Sequence, residues 1–529
     1  MPDAPLHLPP DLDIATLGPP VELSDEASVT PAVLLARAPG PGQAKTAPAV
    51  EPWAGLLAYA EWQGKPGQVI LAPPADAGDR RLAVSGLGPA TVPASAGQAE
   101  ARTTRLDAIR LAAAAAAKAL APTPAAVLSF YVDPTYAQDL PREAVVAAIV
   151  DGVSLSRFKF GLRRPKPNHP PTTSPRPAAI ALPDADRPAA QRAATVARSV
   201  LTARTLAALP PNLINPATLA EQCERLAEAV GLCCTIHDEA ALERLGMGGL
   251  LAVGKAGSTS PRLIQLDWTP PGVDPNDPPT LVVGKAVTFD SGGYNLKTTG
   301  GKGMKYDKCG GMAAIGIAEA VARLGHPKRV VALVPAAENL VADSSYRPDD
   351  ILTMANGVTV EVTNTDAEGR LILADALAWG TATLNPSRVI DLATLTGGAR
   401  VALGDDTAAM FCNAPALADA LTDAAVTTGE RIWRLPLWPR HRDLLKSTHA
   451  DIVNAGERTA SSIQGAAFLS YFVGPDAPDH LPDLPWAHLD IAATATTDRE
   501  SALYTKGPTG FGVRLVTQAL QTLDKPGPA

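Results

Sequence analysis

The chain has 529 residues, 46% of them hydrophobic and 19% charged, with a formal net charge of −8 and a pI near 5.6. That length and apolar content leave room for two packed domains and exclude a mostly disordered chain. The acidic balance argues against an extended polyanion-binding surface.

Cysteine is sparse and odd in number (Cys223, Cys233, Cys234, Cys309 and Cys412) with no C-x-x-C pair, so neither a disulfide framework nor a thiolate zinc site is suggested, and a reducing compartment fits best. The opening "MPDAPLHLPPDLDIATLG" carries acids where a signal peptide needs bases, and no window of 18 apolar residues is free of charges and breakers. The expectation is a soluble cytoplasmic protein with no membrane partner.

In chain order, residues 1–50 are rich in Pro, Ala and Gly and read as an irregular lead-in. Residues 51–186 alternate β-like runs ("QVILAP", "AVLSFYV") with helix-like ones ("TTRLDAIRLAAAAAAKAL", "REAVVAAIVDGVSLSRF"), the pattern of a small α/β domain. It closes on a Pro-rich loop, 161–188, containing a short strand "AAIAL". A connecting helix spans 187–209, and residues 210–529 form a larger α/β domain. There "TLVVGKAV", "RVVALVPA", "RVIDLATL" and "AHLDIAA" are unbroken apolar runs, as in a mainly parallel sheet covered by helices on both faces. Such sheets bind ligands beyond the carboxyl ends of their strands, so the active site belongs there.

Charged residues gather at those ends. "VTVEVT" reads as a strand and "LILADALAWGTATL" as a helix, leaving "NTDAEGR" as a loop in which Asp366 and Glu368 project to one side. Helix capping is the competing role for these acids. "LVVGKAVTFDSGGYNLK" buries Lys285 in a strand, where it needs a carboxylate neighbour or a cation to ligate as neutral amine. Asp290 and Lys297 follow, and Asp307 precedes a further helix in "MKYDKCGGMAAIGIAEAVARLG". Singly, each is a turn residue, a surface charge or a cap. Together, the acids in one crevice can hold two divalent ions about 3.5–4 Å apart; oxygen ligands with one nitrogen suit Zn, Mn, Mg or Co.

"VGKAVTFDSGGYNLK", "MKYDKCGG" and "NTDAEGRLILADAL", with "WAHLDIA" and "LATLTGGA", closely resemble the signatures of the leucyl aminopeptidase (cytosol aminopeptidase) family of two-metal exopeptidases, over roughly 189–520. The resemblance implies a metal-dependent aminopeptidase, a hydrolase removing N-terminal residues from peptides. Lys285, Asp290, Asp307 and Glu368 would hold the tighter metal, and Asp290, Asp366 and Glu368 the exchangeable one. Mn and Zn are the expected ions, supplying a metal-bridged hydroxide. Lys297 and Arg370 match the catalytic positions: Lys297 to stabilise the oxyanion, Arg370 to hold a bicarbonate that shuttles protons. Thr394, Leu395 and Gly397 would line the substrate and Met304 the side-chain pocket, which favours leucine and other apolar residues. The resemblance also implies a homohexamer. The stretch "KTTGGKGMKYD" is a residue shorter than the family pattern, which shortens the loop over the substrate mouth.

Other readings find less support. "GLLAVGKAG" spells G-x-x-x-x-G-K, but Ala256 stands where a P-loop needs Ser or Thr, and a turn and strand follow instead of a helix. No H-E-x-x-H or G-x-S-x-G occurs, and His237, His449 and His488 read as structural. The bases Arg157, Lys159, Arg163, Arg164, Lys166 and Arg176, with no acid between residues 152 and 183, leave an additional DNA-binding role through segment 157–176 as the subordinate alternative.

Overall fold

A computed structural model describes residues 21–25, 33–36, 65, 68–72, 82–87, 97–120, 127–132, 134–160, 178–474 and 480–525. The N-terminal unit carries β1 (Val21–Asp25), β2 (Val33–Ala36), β3 (Val69–Ala72), β4 (Leu82–Gly86), β5 (Val127–Val132) and β6 (Ala178–Leu182) in the order β1-β6-β5-β2-β4-β3. Only the β3–β4 pair is antiparallel. Helices Gln98–Leu120 and Arg142–Ser156 pack on this sheet around Leu106, Ile109, Ile149 and Val153.

Two strands therefore fall inside the stretch expected to be an irregular lead-in. β1 and β2 pair with strands roughly 90 to 160 residues downstream, β1 with Ala178–Leu182 and β2 with Val127–Val132. Runs as short as "VELSD" and "VLLA" acquire their structure from those distant partners, which local composition does not reveal.

The larger unit is built on β7 (Cys233–His237), β8 (Arg262–Trp268), β9 (Thr280–Gly284), β10 (Ala286–Asp290), β11 (Val330–Asn339), β12 (Ile351–Thr353), β13 (Thr359–Glu361), β14 (Arg388–Ala393), β15 (Thr407–Cys412), β16 (Arg431–Arg434), β17 (Ile452–Val453) and β18 (Trp486–Asp490). A nine-stranded sheet runs β16-β15-β18-β14-β9-β11-β8-β7, with β10 pairing to β11. Its centre, β18-β14-β9-β11, is parallel, and antiparallel pairs lie towards both edges. β12, β13 and β17 make a separate small sheet.

The central strands are buried on both faces, so alternate residues feed two cores. Val282, Val334 and Leu392 join Ile315 and Val516 on one side. Val283, Leu333 and Val389 join Leu371, Leu377 and Phe468 on the other. The covering helices include Cys309–Leu324 and Val513–Leu523 on the first face and Glu368–Leu384 and Ser461–Leu469 on the second.

Two local expectations change. The run "TLVVGKAV" is broken at Lys285: β9 ends at Gly284 and β10 starts at Ala286, while the Lys285 N–H donates to Leu392 C=O at 3.1 Å. The helix after β13 begins at Glu368, so Glu368 and Arg370 lie in its first turn and only Asp366 precedes it. No side chain caps that helix. The helix between the units spans Arg187–Ala208. Near its end Arg204 donates to Pro508 C=O at 2.9 Å and to Leu155 C=O at 3.0 Å, tying both units together. Among the described residues no helix is long and apolar enough to cross a membrane. Of the basic segment, Arg163, Arg164, Lys166 and Arg176 lie outside the described residues, and Arg157 and Lys159 follow helix Arg142–Ser156.

Candidate metal-binding active site

Parallel strands deliver their carboxyl ends to one edge of the sheet. Asp290 ends β10, Asn339 ends β11, Thr394 follows β14 and Asp490 ends β18. Asp366 and Glu368 arrive at the start of the helix after β13. Carboxylate oxygens of Asp290, Asp366 and Glu368 all lie within 4.8 Å of one another. Asp307 joins through Lys285, whose Nζ lies 2.8 Å from Asp307 Oδ1 and 2.9 Å from Glu368 Oε1 and donates to Thr394 C=O at 2.9 Å. A Cβ at Gly369 would come within 2.5 Å of that Nζ, so glycine is what lets the lysine cross the helix start. Lys297 Nζ lies 2.8 Å from Asp290 Oδ2 and also pairs with Asp366.

Sequence reasoning thus named a set that the fold brings together from four separate segments. Of the two ways to accommodate a buried Lys285, the carboxylate neighbours are present. Burial alone would lower its pKa, yet Asp307, Glu368 and Asp290 outweigh burial and hold the ammonium above its ordinary value. Lys297 is raised in the same way, against burial, chiefly by Asp290. Burial drives Asp307 well above the usual carboxylate range against the pull of Lys285, and it raises Glu368, with the charge of Asp290 adding to it. Asp366 is raised by burial against Lys297.

The cluster is therefore short of positive charge, since two lysines face four carboxylates. Asp307 Oδ2 and Glu368 Oε2 are buried without a hydrogen-bond partner. A buried carboxylate oxygen with no donor is costly unless a cation meets it. Hard oxygen donors with one amine nearby fit divalent ions, so the residues present suit a metal centre.

Arg370 lies further along the first turn of the same helix. Its Nη1 donates to Asn454 C=O at 2.7 Å, its Nε is buried without a partner, and burial pulls the guanidinium down to about 10. The Thr394 hydroxyl donates to Asp307 Oδ1 at 2.8 Å, which turns this residue towards the acids. Leu395 aims its side chain at helix Ser461–Leu469, where a Cβ at Gly465 would meet Leu395 Cδ2 at 2.9 Å, while Gly397 is exposed. Met304 opens a short 3-10 turn, Met304–Tyr306, and is half-buried; residues 298–300 before it are exposed.

Several supporting residues escaped the sequence reading. Asp490 accepts from the Leu395 and Thr396 N–H groups at 3.2 and 3.4 Å and from the Thr396 hydroxyl at 2.5 Å, fixing the loop after β14. Lys308 is buried, donates to the carbonyls of Ala207 and Leu209 at 3.0 and 3.1 Å, and is brought to about 7 by burial. Asn339 bonds Asp290. The signal Asn339 and Asp490 left in the sequence is a polar residue closing an apolar strand, "AAEN" and "HLD", whereas Lys308 directly precedes helix Cys309–Leu324.

The sequence pattern of the cytosol aminopeptidase family catalytic domain matches residues 201–517. A protein of Roseiflexus castenholzii named "Probable cytosol aminopeptidase" is 40% identical over 474 residues, covering 88% of this chain and 92% of that one. Among solved structures, "Bottromycin maturation enzyme BotP in complex with Mn" superimposes with a TM-score of 0.79 at 33% identity, covering 94% of this chain and all of its own. The cytosol aminopeptidase from Coxiella burnetii does so with a TM-score of 0.76 at 29% identity, covering 96% of this chain. Fold and site thus define a peptidase with an acid-rich metal centre. The chain belongs to the cytosol aminopeptidase family, and it is a metallo-aminopeptidase.

Proposed function

We propose that the protein removes leucine and other apolar residues from the free N-terminus of peptides, using two divalent cations. The observation that carries this is the convergence of Asp290, Asp366 and Glu368 within 4.8 Å, beside buried carboxylate oxygens that no protein donor meets. In this reading Lys285, which must release its ammonium proton as the cation enters, would hold one ion with Asp290, Asp307 and Glu368, and Asp290, Asp366 and Glu368 would hold the other. The ions, when bound, give the free α-amine an electrophile and make a water nucleophilic at neutral pH. Manganese is favoured by the similarity to BotP, which was solved in complex with Mn, with zinc the alternative on ligand type.

Lys297 is the oxyanion donor. Its two carboxylate contacts keep it charged and aimed into the cluster. Arg370 places an anion, with bicarbonate the candidate for moving protons, and its unpartnered Nε supports that role. The loop 394–397, held by Asp490, orients the substrate backbone, and Met304 with Gly397 lines the apolar side-chain pocket. The family resemblance supports a cytoplasmic homohexamer, whose subunit count analytical ultracentrifugation measures. Hydrolysis of Leu-p-nitroanilide alongside N-acetyl-Leu-p-nitroanilide tests the reading. Only the unblocked compound should turn over, and equal cleavage of both would remove the free amine from the mechanism.

A further inference from the structure

Asn339 closes β11 and is buried between the two acid-bearing loops. Its Nδ2 donates to Asp290 Oδ1 at 2.8 Å and to Thr365 C=O at 3.0 Å. Both partners are pure acceptors, which fixes the orientation of the amide. Its backbone carbonyl accepts from the N–H and hydroxyl of Ser291 at 2.9 and 2.8 Å, tying down the turn after Asp290 as well.

The other side-chain atom, Oδ1, is buried with no donor. It faces Gly293, whose φ is +61°, and a Cβ there would come within 3.1 Å of that oxygen and 2.9 Å of Thr365 Oγ1. Leaving a buried acceptor unmet is costly, so an amide is a poor choice for packing alone. Its value lies in what Nδ2 holds.

Asp290 Oδ1 also accepts from the Gly292 N–H at 2.9 Å. With two donors on Oδ1, only Oδ2 is left to face the cluster, where it meets Lys297 Nζ at 2.8 Å. We propose that Asn339 is a positioning residue for the metal centre: it restricts Asp290 to ligation through Oδ2, its second bond, to Thr365 C=O, holding the amide in place. The inference rests on the metal-dependent reading above. Thr365 C=O has a second anchor in the Tyr346 hydroxyl, which donates to it at 2.7 Å. No other side-chain amide or hydroxyl donates to Asp290 among the described residues.

That asymmetry supplies the test. Mn²⁺ is titrated calorimetrically into the metal-stripped full-length protein, as wild type, Asn339→Ala, Asn339→Leu and Tyr346→Phe, with circular dichroism on each. Asn339→Leu fills the volume of the amide and guards against local collapse. Both Asn339 variants should stay folded and bind at least one ion roughly 10- to 100-fold more weakly, as loss of an outer-shell partner does. Tyr346→Phe should move affinity far less. Asn339 variants that bind Mn²⁺ as wild type does and lose only thermal stability would overturn the proposal. Equal losses in Tyr346→Phe would also overturn it, by placing the effect in the Thr365 loop. Wild-type protein that takes up no ion would remove the proposed function along with this inference, whereas wild-type uptake with unaffected variants removes the inference alone.

Discussion

Two of the buried charge clusters among the described residues are organised differently. Between the two units, Arg514 Nη1 donates to Asp151 Oδ2 at 2.9 Å and to Thr428 C=O at 2.7 Å, while Arg110 approaches the same Asp151 oxygen at 3.4 Å. Glu430 beside them accepts the N–H groups of Gly512 and Leu515 at 3.0 and 2.8 Å, at the start of helix Val513–Leu523. There each acid faces guanidinium or backbone donors. Burial alone would lower Arg514, yet the acids and Tyr504 around it hold it raised.

At the sheet's carboxyl edge four carboxylates face two lysines, whereas in the joint Asp151 and Glu430 face Arg110 and Arg514; unmet oxygens occur in both, Asp307 Oδ2 and Glu368 Oε2 here and Glu430 Oε1 there, 3.4 Å from Arg514 Nε. Burying charge is tolerated structurally when opposite charges balance. A cluster with carboxylates in excess is the arrangement a cation would fill, and this charge imbalance separates a joint from a metal centre.

The contrast can be broken in steps. Chelation should abolish hydrolysis of Leu-p-nitroanilide, and Mn or Zn should restore it. The circular dichroism spectrum should hardly change throughout, because apolar strands rather than ions build this sheet. Asp151→Ala should do the reverse: it removes one of the two acids facing Arg514, leaving Glu430 3.4 Å away, and costs up to about 3–5 kcal/mol of stability, read as a lower urea midpoint, with ion uptake intact. Lys297→Ala should lower kcat by roughly 10²–10³-fold, as for loss of one oxyanion donor, with metal content near wild type.

A pH-dependent effect concerns Asp375, buried on the second face of the sheet, where it accepts from the Leu250 and Ala355 N–H groups at 2.8 and 2.9 Å. Burial raises its pKa from 3.8 to about 7, against the pull of those bonds. The folded chain then keeps a proton that the unfolded chain releases, so this group's contribution to stability falls as pH rises from 3.8 to about 7 and is flat above. Urea midpoints across that window should show this slope in wild type and a shallower one in Asp375→Asn.

Legibility from sequence followed the range of the interactions. The central strands are readable because burial on both faces writes an unbroken apolar run, as in Val330–Asn339. The acids and lysines of the site stand out as charges interrupting such runs. The apolar run around Lys285 reads as one strand, whereas the chain breaks there; its bond to Leu392 comes from β14, over a hundred residues away. β1 and β2 are illegible for the same reason. Asn339 and Asp490 look like ordinary strand-end residues, and only the three-dimensional neighbourhood shows that one bonds Asp290 and the other fixes the loop after β14.

Glu368→Gln tests the central claim most directly, because it keeps the side chain's shape and removes the charge that cations need. An acid in a first helical turn contributes at most about 2 kcal/mol to stability. Metal stoichiometry, circular dichroism and turnover measured on one preparation should find a folded protein that binds ions far more weakly and is nearly inactive. A folded, fully metallated and active Glu368→Gln would contradict the account.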